Sequence, residues 1–325
     1  MAARGPHPPP GRYADRARTG LLSPAEPEWA AGIAERLDEL RAAHRWALAN
    51  VPELALRQAV SLAGYAVAAG PLLVLGDVAL LEGRFAAAAE VYRQVVRQAG
   101  AREPGLACEA VGSWALALSQ LGELGRAGEL AADCQRRAAR VGAPGLVAMA
   151  RYLAAECRMV TDPAGALPML AEARELAAGT GARFVVGLAI LASVSIRARA
   201  GADPAAALAA YREAIEHWRQ VGNRTQQWVT LRNLVPVLVA AGRDELACRL
   251  HGALAAAPVR LPDGVPEAEA LAAAVDRAQA RLGPAVAGAA AGWGARSSLD
   301  DLLPLVLAAT GPAGPQPADQ AGSSR

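Results

Sequence analysis

The sequence predicts an all-α fold, a helical-repeat solenoid of tetratricopeptide-like αα-hairpins with a period of about 40 residues. Three observations predict it. Helix starts rich in small residues recur at near-constant intervals: with Arg84, Arg126, Asp162, Asp203 and Arg243 taken as equivalent, the spacings are 42, 36, 41 and 40. Apolar residues return at three- and four-residue steps, which places them on one face of a helix. No stretch shows the apolar/polar alternation of a half-buried strand.

Residues 1–22 are rich in Pro, Gly and Arg without periodicity and read as a disordered arm. Residues 23–70 read as an N-terminal helical pair. Ser23-Pro-Ala-Glu26 resembles a capping box, with Pro27 close to the first helical position. From Trp29 the residues Ile33, Leu37, Leu40, His44 and Leu48 keep helical spacing up to Asn50, a C-cap, and a second helix follows over 52–69.

Residues 71–257 carry the repeats. The clearest unit spans 203–241 and closes at Gly242. Asp203-Pro204 and Asp162-Pro163 place an acceptor at the N-cap and a proline at N1, where its missing N–H costs nothing. After Asp203, the residues Leu208, Tyr211, Ile215, Trp218 and Val221 form one apolar stripe, with Arg212 and Glu216 paired i,i+4 on the wet side. A Gly222-Asn223 turn leads to a second stripe of Trp228, Leu231, Val235 and Leu238. Gln226, Thr230 and Asn233 form a polar strip on another side of that helix, and Pro236 should strain or kink it.

Residues 258–310 read as C-terminal capping helices. After the loop APVRLPDGVP come a helix over 266–282, ended by Gly283-Pro284, and a short helix over 297–309. The latter is capped by Ser297 or Ser298, with Asp300 and Asp301 favourable in its first turn. Residues 311–325 are Pro, Gly and Ser and read as a disordered tail.

Composition narrows the chemistry. All 33 basic residues are arginine, balanced by 31 acidic residues to a net charge of +2. Without lysine there is no Walker A loop, no Schiff-base lysine and no Ser-x-x-Lys nucleophile. The nucleotide fingerprint G-x-G-x-x-G, the nucleophile elbow G-x-S-x-G and the zinc motif H-E-x-x-H are also missing. His7, His44, His217 and His251 share no ligand spacing with each other or with Cys108, Cys134, Cys157 and Cys248. The expectation is therefore a non-enzyme with no cofactor and no metal. The cysteines read as small buried hydrophobes in a reducing cytosol. The uncharged run 58–76, broken by Gly70-Pro71, reads as two buried helix segments rather than a membrane span, and the opening residues lack the apolar core of a secretory signal. His217 beside Trp218 reads as a helix-surface or inter-helix histidine, and Arg136, Arg137 and Arg140 as a solvated face.

Two stretches resemble a known family. EWAAGIAERLDELRAAHRWALANVPELAL, residues 28–56, is similar to the helical segment after the nucleotide-binding module in actinobacterial STAND-type (NB-ARC) ATPase regulators, relatives of the AfsR-like and LuxR-type transcriptional activators. VGNRTQQWVTLRNLVPVLVAAGRDELACRLHGALA, residues 221–255, resembles the last tetratricopeptide-like repeat of the same proteins and is the more specific match. The likeness spans residues 28–309, without the family's ATPase domain and its DNA-binding or cyclase domain, and Pro236 stands where the family more often has a helix former. It implies a cytoplasmic sensing or scaffolding module in the control of transcription or signalling.

The function expected is thus binding of a protein or peptide partner, or of a small effector, on the free face of a repeat array. Arg224, Gln226, Thr230 and Asn233 are the candidate binding residues, chosen as polar side chains aligned at helical spacing beside a Trp-containing stripe. Two alternatives stand beside it. One is a nucleic-acid binder using Arg4, Arg12, Arg16, Arg18 and the Arg136 cluster, whose affinity would fall steeply with salt. The other is a truncated regulator without activity of its own.

Overall fold

The computed structural model describes residues 16, 17, 20, 23–25, 28, 29, 32, 33, 71–101, 103–257 and 266–311. The expected N-terminal helical pair, the first resembling stretch at 28–56, the arm and the tail therefore lie largely or wholly outside the described residues. Among the described residues the regular elements are thirteen α-helices, with no strand and no helix long and apolar enough to cross a membrane.

The chain divides into two compact units, residues 1–196 and 197–325. In the first, α1 (Pro71–Leu81), α2 (Phe85–Ala99), α3 (Pro104–Gln120), α4 (Leu124–Val141), α5 (Pro144–Met159) and α6 (Pro163–Thr180) each pack on the next, and α3 also meets α1 and α5. Helix α7 (Arg183–Arg199), whose last residues pass into the second unit, sends Val185, Ala192 and Ile196 into a cluster with Tyr152, Leu170 and Ala173 of α5 and α6. Alanine dominates this interior: Ala88, Ala107, Ala110, Ala117 and Ala138 are fully buried. Each small side chain removes little apolar area from water, so stability comes from close helix approach and many contacts.

Helix ends follow local chemistry. Proline sits in the first turn of α3, α5 and α6, and Asp162 accepts a 2.8 Å hydrogen bond from the Gly165 N–H. That bond and Arg158 hold the Asp162 carboxyl below its usual range. Helices α4 and α6 end on Gly142 and Gly181 in the left-handed conformation, which a residue with Cβ adopts only under strain.

The second unit holds α8 (Pro204–Val221), α9 (Arg224–Ala240), α10 (Asp244–Ala256), α11 (Pro266–Leu282), α12 (Pro284–Ala295) and α13 (Leu299–Ala309). Helices α8 and α9 form the hairpin expected over 203–241. Asp203 accepts from the Ala206 N–H, Gly222 is left-handed, and Asn223 accepts from the Gln226 N–H. Leu208, Tyr211, Ile215 and Trp218 are buried from α8, and Leu231, Val235 and Leu238 from α9. Trp228 is only half-buried; the sequence stripe overstates its depth. Helix α9 runs unbroken through Pro236, so the proline does not end the helix.

Helix α12 is an addition to the sequence reading, which ends one helix at Gly283-Pro284 and opens the next at residue 297. Its sequence, PAVAGAAAGWGA, has almost no amphipathic contrast, so periodicity misses it. Its place is fixed instead by close packing on α10. A Cβ on Gly252 would collide with the Ala291 backbone, and one on Gly294 with the Arg249 backbone. Helix α13 starts on Ser298, whose side chain and Asp301 form the reciprocal capping box.

Candidate functional site

The four candidate residues do not form one exposed strip. Arg224, in the first turn of α9, is exposed and pairs with Asp300 of α13 at 3.2 Å. Gln226 is half-buried, with its backbone N–H on Asn223 and its carbonyl accepting from the Thr230 hydroxyl at 2.8 Å. Thr230 is 0 % exposed. This corrects the expectation: its hydroxyl satisfies the carbonyl one turn back, as threonine does within helices, and has no surface to offer a partner. Asn233 is half-buried and accepts from Arg232 Nε at 3.4 Å. The accessible remainder is Arg224, Gln226 and Asn233.

The other end of α9 opens onto a cavity of about 430 Å³, lined by Arg243, Asp244, Glu245 and Leu246 of the α9–α10 turn and first turn of α10, Arg249, Leu282 of α11, and Leu305 and Ala309 of α13. At a rise of 1.5 Å per residue, the cavity and Arg224 are about 25 Å apart along α9. Two ion pairs frame it. Arg281 grips Asp244 through two nitrogens, at 2.5 and 2.7 Å, and also donates to the Val239 carbonyl at 2.8 Å. The Arg281 hydrogen bond holds the Asp244 carboxyl below its usual range. Arg249 pairs with Glu245 at 2.5 Å while its guanidinium lies 4.9 Å from the centre of the Trp293 ring. Arg243 is exposed and has no ion-pair partner among the described residues. The cavity thus joins a leucine wall to fixed charge of both signs, with one arginine uncommitted, and its volume falls in the small-molecule range.

Sequence spacing could not reveal this cavity. Asp244 and Arg281 lie 37 residues apart, and Arg212 reaches the Leu307 carbonyl across 95. The other sequence candidates stay structural. His217 stands edge-on to Trp218, with ring centres 5.3 Å apart. Arg136 and Arg137 both pair with Asp133 of their own helix. Burial lowers the His251 pKa, with Asp276 of α11 opposing. No group of three or more His, Cys, Asp or Glu among the described residues could hold a metal ion. All four cysteines are free and buried, and Cys108 and Cys134 face each other with sulfurs 3.8 Å apart.

No protein-family model matches the chain, and no curated protein matches it.

Proposed function

We propose that this chain is a non-enzymatic helical-repeat module that binds a protein or peptide segment, or a small effector, in a regulatory setting. The observation that carries the proposal is the recurrence of the helical hairpin. Left-handed glycines punctuate it at matching steps: Gly83 to Gly122 is 39 residues, Gly100 to Gly142 is 42, Gly142 to Gly181 is 39, and Gly181 to Gly222 and Gly201 to Gly242 are each 41. Two helices per period of about 40 residues is the repeat of a solenoid, in which each unit touches its neighbours and leaves one face for a partner. The resemblance of residues 28–56 and 221–255 to STAND-type regulators supplies the transcriptional or signalling context. The four free cysteines support a reducing, cytoplasmic compartment.

Within the second unit the binding surface we favour is Arg224, Gln226 and Asn233 for a polypeptide, and the cavity beside Arg243 for a small effector. Affinity capture with the full chain, followed by direct titration of the purified partner, tests this. The combined change of Arg224, Gln226 and Asn233 to Ala should weaken a polypeptide partner at least tenfold, and Arg243→Glu an anionic effector. Equal affinity of both variants for every captured partner would remove the assignment.

A further inference from the structure

The interior of α1, α2 and α3 holds an unusual group of side chains. Tyr92 of α2 is fully buried, and its hydroxyl donates to Asp77 of α1 at 2.8 Å. Glu109 of α3 is 5 % exposed, and its Oε2 is buried without a hydrogen-bond partner. Asp77 is close enough to raise the cost of ionising Glu109, with Cys108 also in range, and both carboxyls raise that of Tyr92. The Tyr92 ring fills the notch left by Gly76, so the same tyrosine seats α1 sterically and by its hydrogen bond.

No cation among the described residues reaches this group. From the neighbouring helices, Arg84 is taken by Glu82, Arg93 and Arg97 by Glu90, and Arg126 by Glu123. Arg136 and Arg137 of α4 are taken by Asp133, Arg151 of α5 by Glu172 and Arg158 by Asp162. The groups that do face it are Ser113, Cys108 and Cys134, none of them a cation. A buried carboxylate with neither donor nor counter-ion is costly, and the least costly alternative is to keep the proton.

We propose that Glu109 is held as a neutral carboxylic acid beside Asp77 and Tyr92, making the packing of α1 on α2 and α3 dependent on a bound proton. Burial, then Asp77 and Cys108, push the Glu109 carboxyl well above its ordinary value. Burial likewise pushes Asp77 up to about 6, although the Tyr92 hydrogen bond pulls the other way. Asp77 has the Tyr92 hydroxyl as a donor and is the first of the two to ionise as pH rises, while Glu109, whose Oε2 has no donor, keeps its proton. In the unfolded chain both carboxyls are ionised by neutral pH. Opening this region above pH 6 then releases the Glu109 proton.

The experiment is equilibrium urea unfolding of the full chain from pH 4 to 9, with hydrogen exchange followed by mass spectrometry on peptides covering residues 71–81. The unfolding equilibrium constant of the first unit should rise up to tenfold per pH unit above pH 6, the slope for one released proton. Peptides of α1 should lose protection in parallel, after correction for intrinsic exchange. Glu109→Gln should flatten the profile above pH 6, and Asp77→Asn its lower part, between about 4 and 6. Should Glu109→Gln fail to fold, infrared spectroscopy of the wild type at pH 8 decides, because Asp77 is then ionised and a protonated-carboxyl carbonyl stretch reports Glu109. A flat wild-type profile, an unchanged slope in folded Glu109→Gln, or absence of that band would overturn the proposal.

Discussion

In the first unit, Glu109 stands inside a core of alanines with the half-buried Asp77 beside it, and Glu109 has a buried oxygen without a donor. At comparable depth the second unit holds Trp218, Tyr211, Ile215 and four leucines of α9 and α10, and its buried polar residues are neutral. Gln227 donates to the Trp218 carbonyl, Thr230 to Gln226 and Thr310 to Val306. Charge there is paired or hydrogen-bonded to the backbone: Arg281 on Asp244 and Val239, Arg212 on Leu307, Asp301 beneath Ser298. Helices of 11 to 18 residues in both units thus support two kinds of interior. One is responsive to protons, and the other is fixed by volume.

The contrast can be broken most strongly at Trp218. Trp218→Ala should cost about 4 kcal/mol, because the largest fully buried side chain leaves a cavity that α8 and α9 cannot close. Urea unfolding with peptide-level hydrogen exchange should show the loss over residues 204–256. The pH profile comes next. A carboxyl whose folded value is raised favours folding below its unfolded value and loses that contribution as pH rises through the folded one. Asp77, raised to about 6, should therefore take up to about 3 kcal/mol from the first unit between pH 4 and 7. Asp244 and Asp301 of the second unit have lowered values, from the Arg281 and Ser298 hydrogen bonds, and their contribution is lost only as pH falls below about 4. The same titration should thus weaken the first unit with base through Asp77, whereas the carboxyls with lowered values, Asp162 in the first unit and Asp244 and Asp301 in the second, lose their contribution only with acid.

Smaller effects sharpen the packing side. Gly252→Ala places a Cβ against the backbone of α12 and should cost about 2 kcal/mol. Gly179→Ala, in α6 with nothing nearby, should stabilise by about 0.5 kcal/mol through its helix propensity. Ser298→Ala removes the cap of α13 and should cost about 1 kcal/mol. Arg224→Ala breaks only an exposed pair and should change stability by less than about 0.5 kcal/mol, so it separates binding from folding. Thermal melts rank these four.

Much of the helical order was legible because its signals are local. Asp162-Pro163, Asp203-Pro204 and Gly222-Asn223 mark helix ends through neighbouring residues alone, and the stripe from Leu208 to Trp218 is a periodicity within one helix. Helix α12 escaped because alanine and glycine give no contrast between faces, and its position depends on Gly252 in another helix. The candidate site was less legible for the same reason. Thr230 keeps the spacing of Gln226 and Asn233, but burial is decided by what packs opposite, which helical periodicity cannot supply. The cavity beside Arg243 depends on α11 and α13, and the acid pair depends on α1 meeting α3 across α2.

The binding reading is tested most directly by titrating the purified captured partner against the wild-type chain and against the two site variants, each first shown to be folded. We predict saturable binding by the wild type. A polypeptide partner should be weakened at least tenfold by the Arg224, Gln226 and Asn233 alanine changes, and an anionic small effector by Arg243→Glu. A partner that binds both variants as tightly as the wild type would contradict the placement of the site in the second unit.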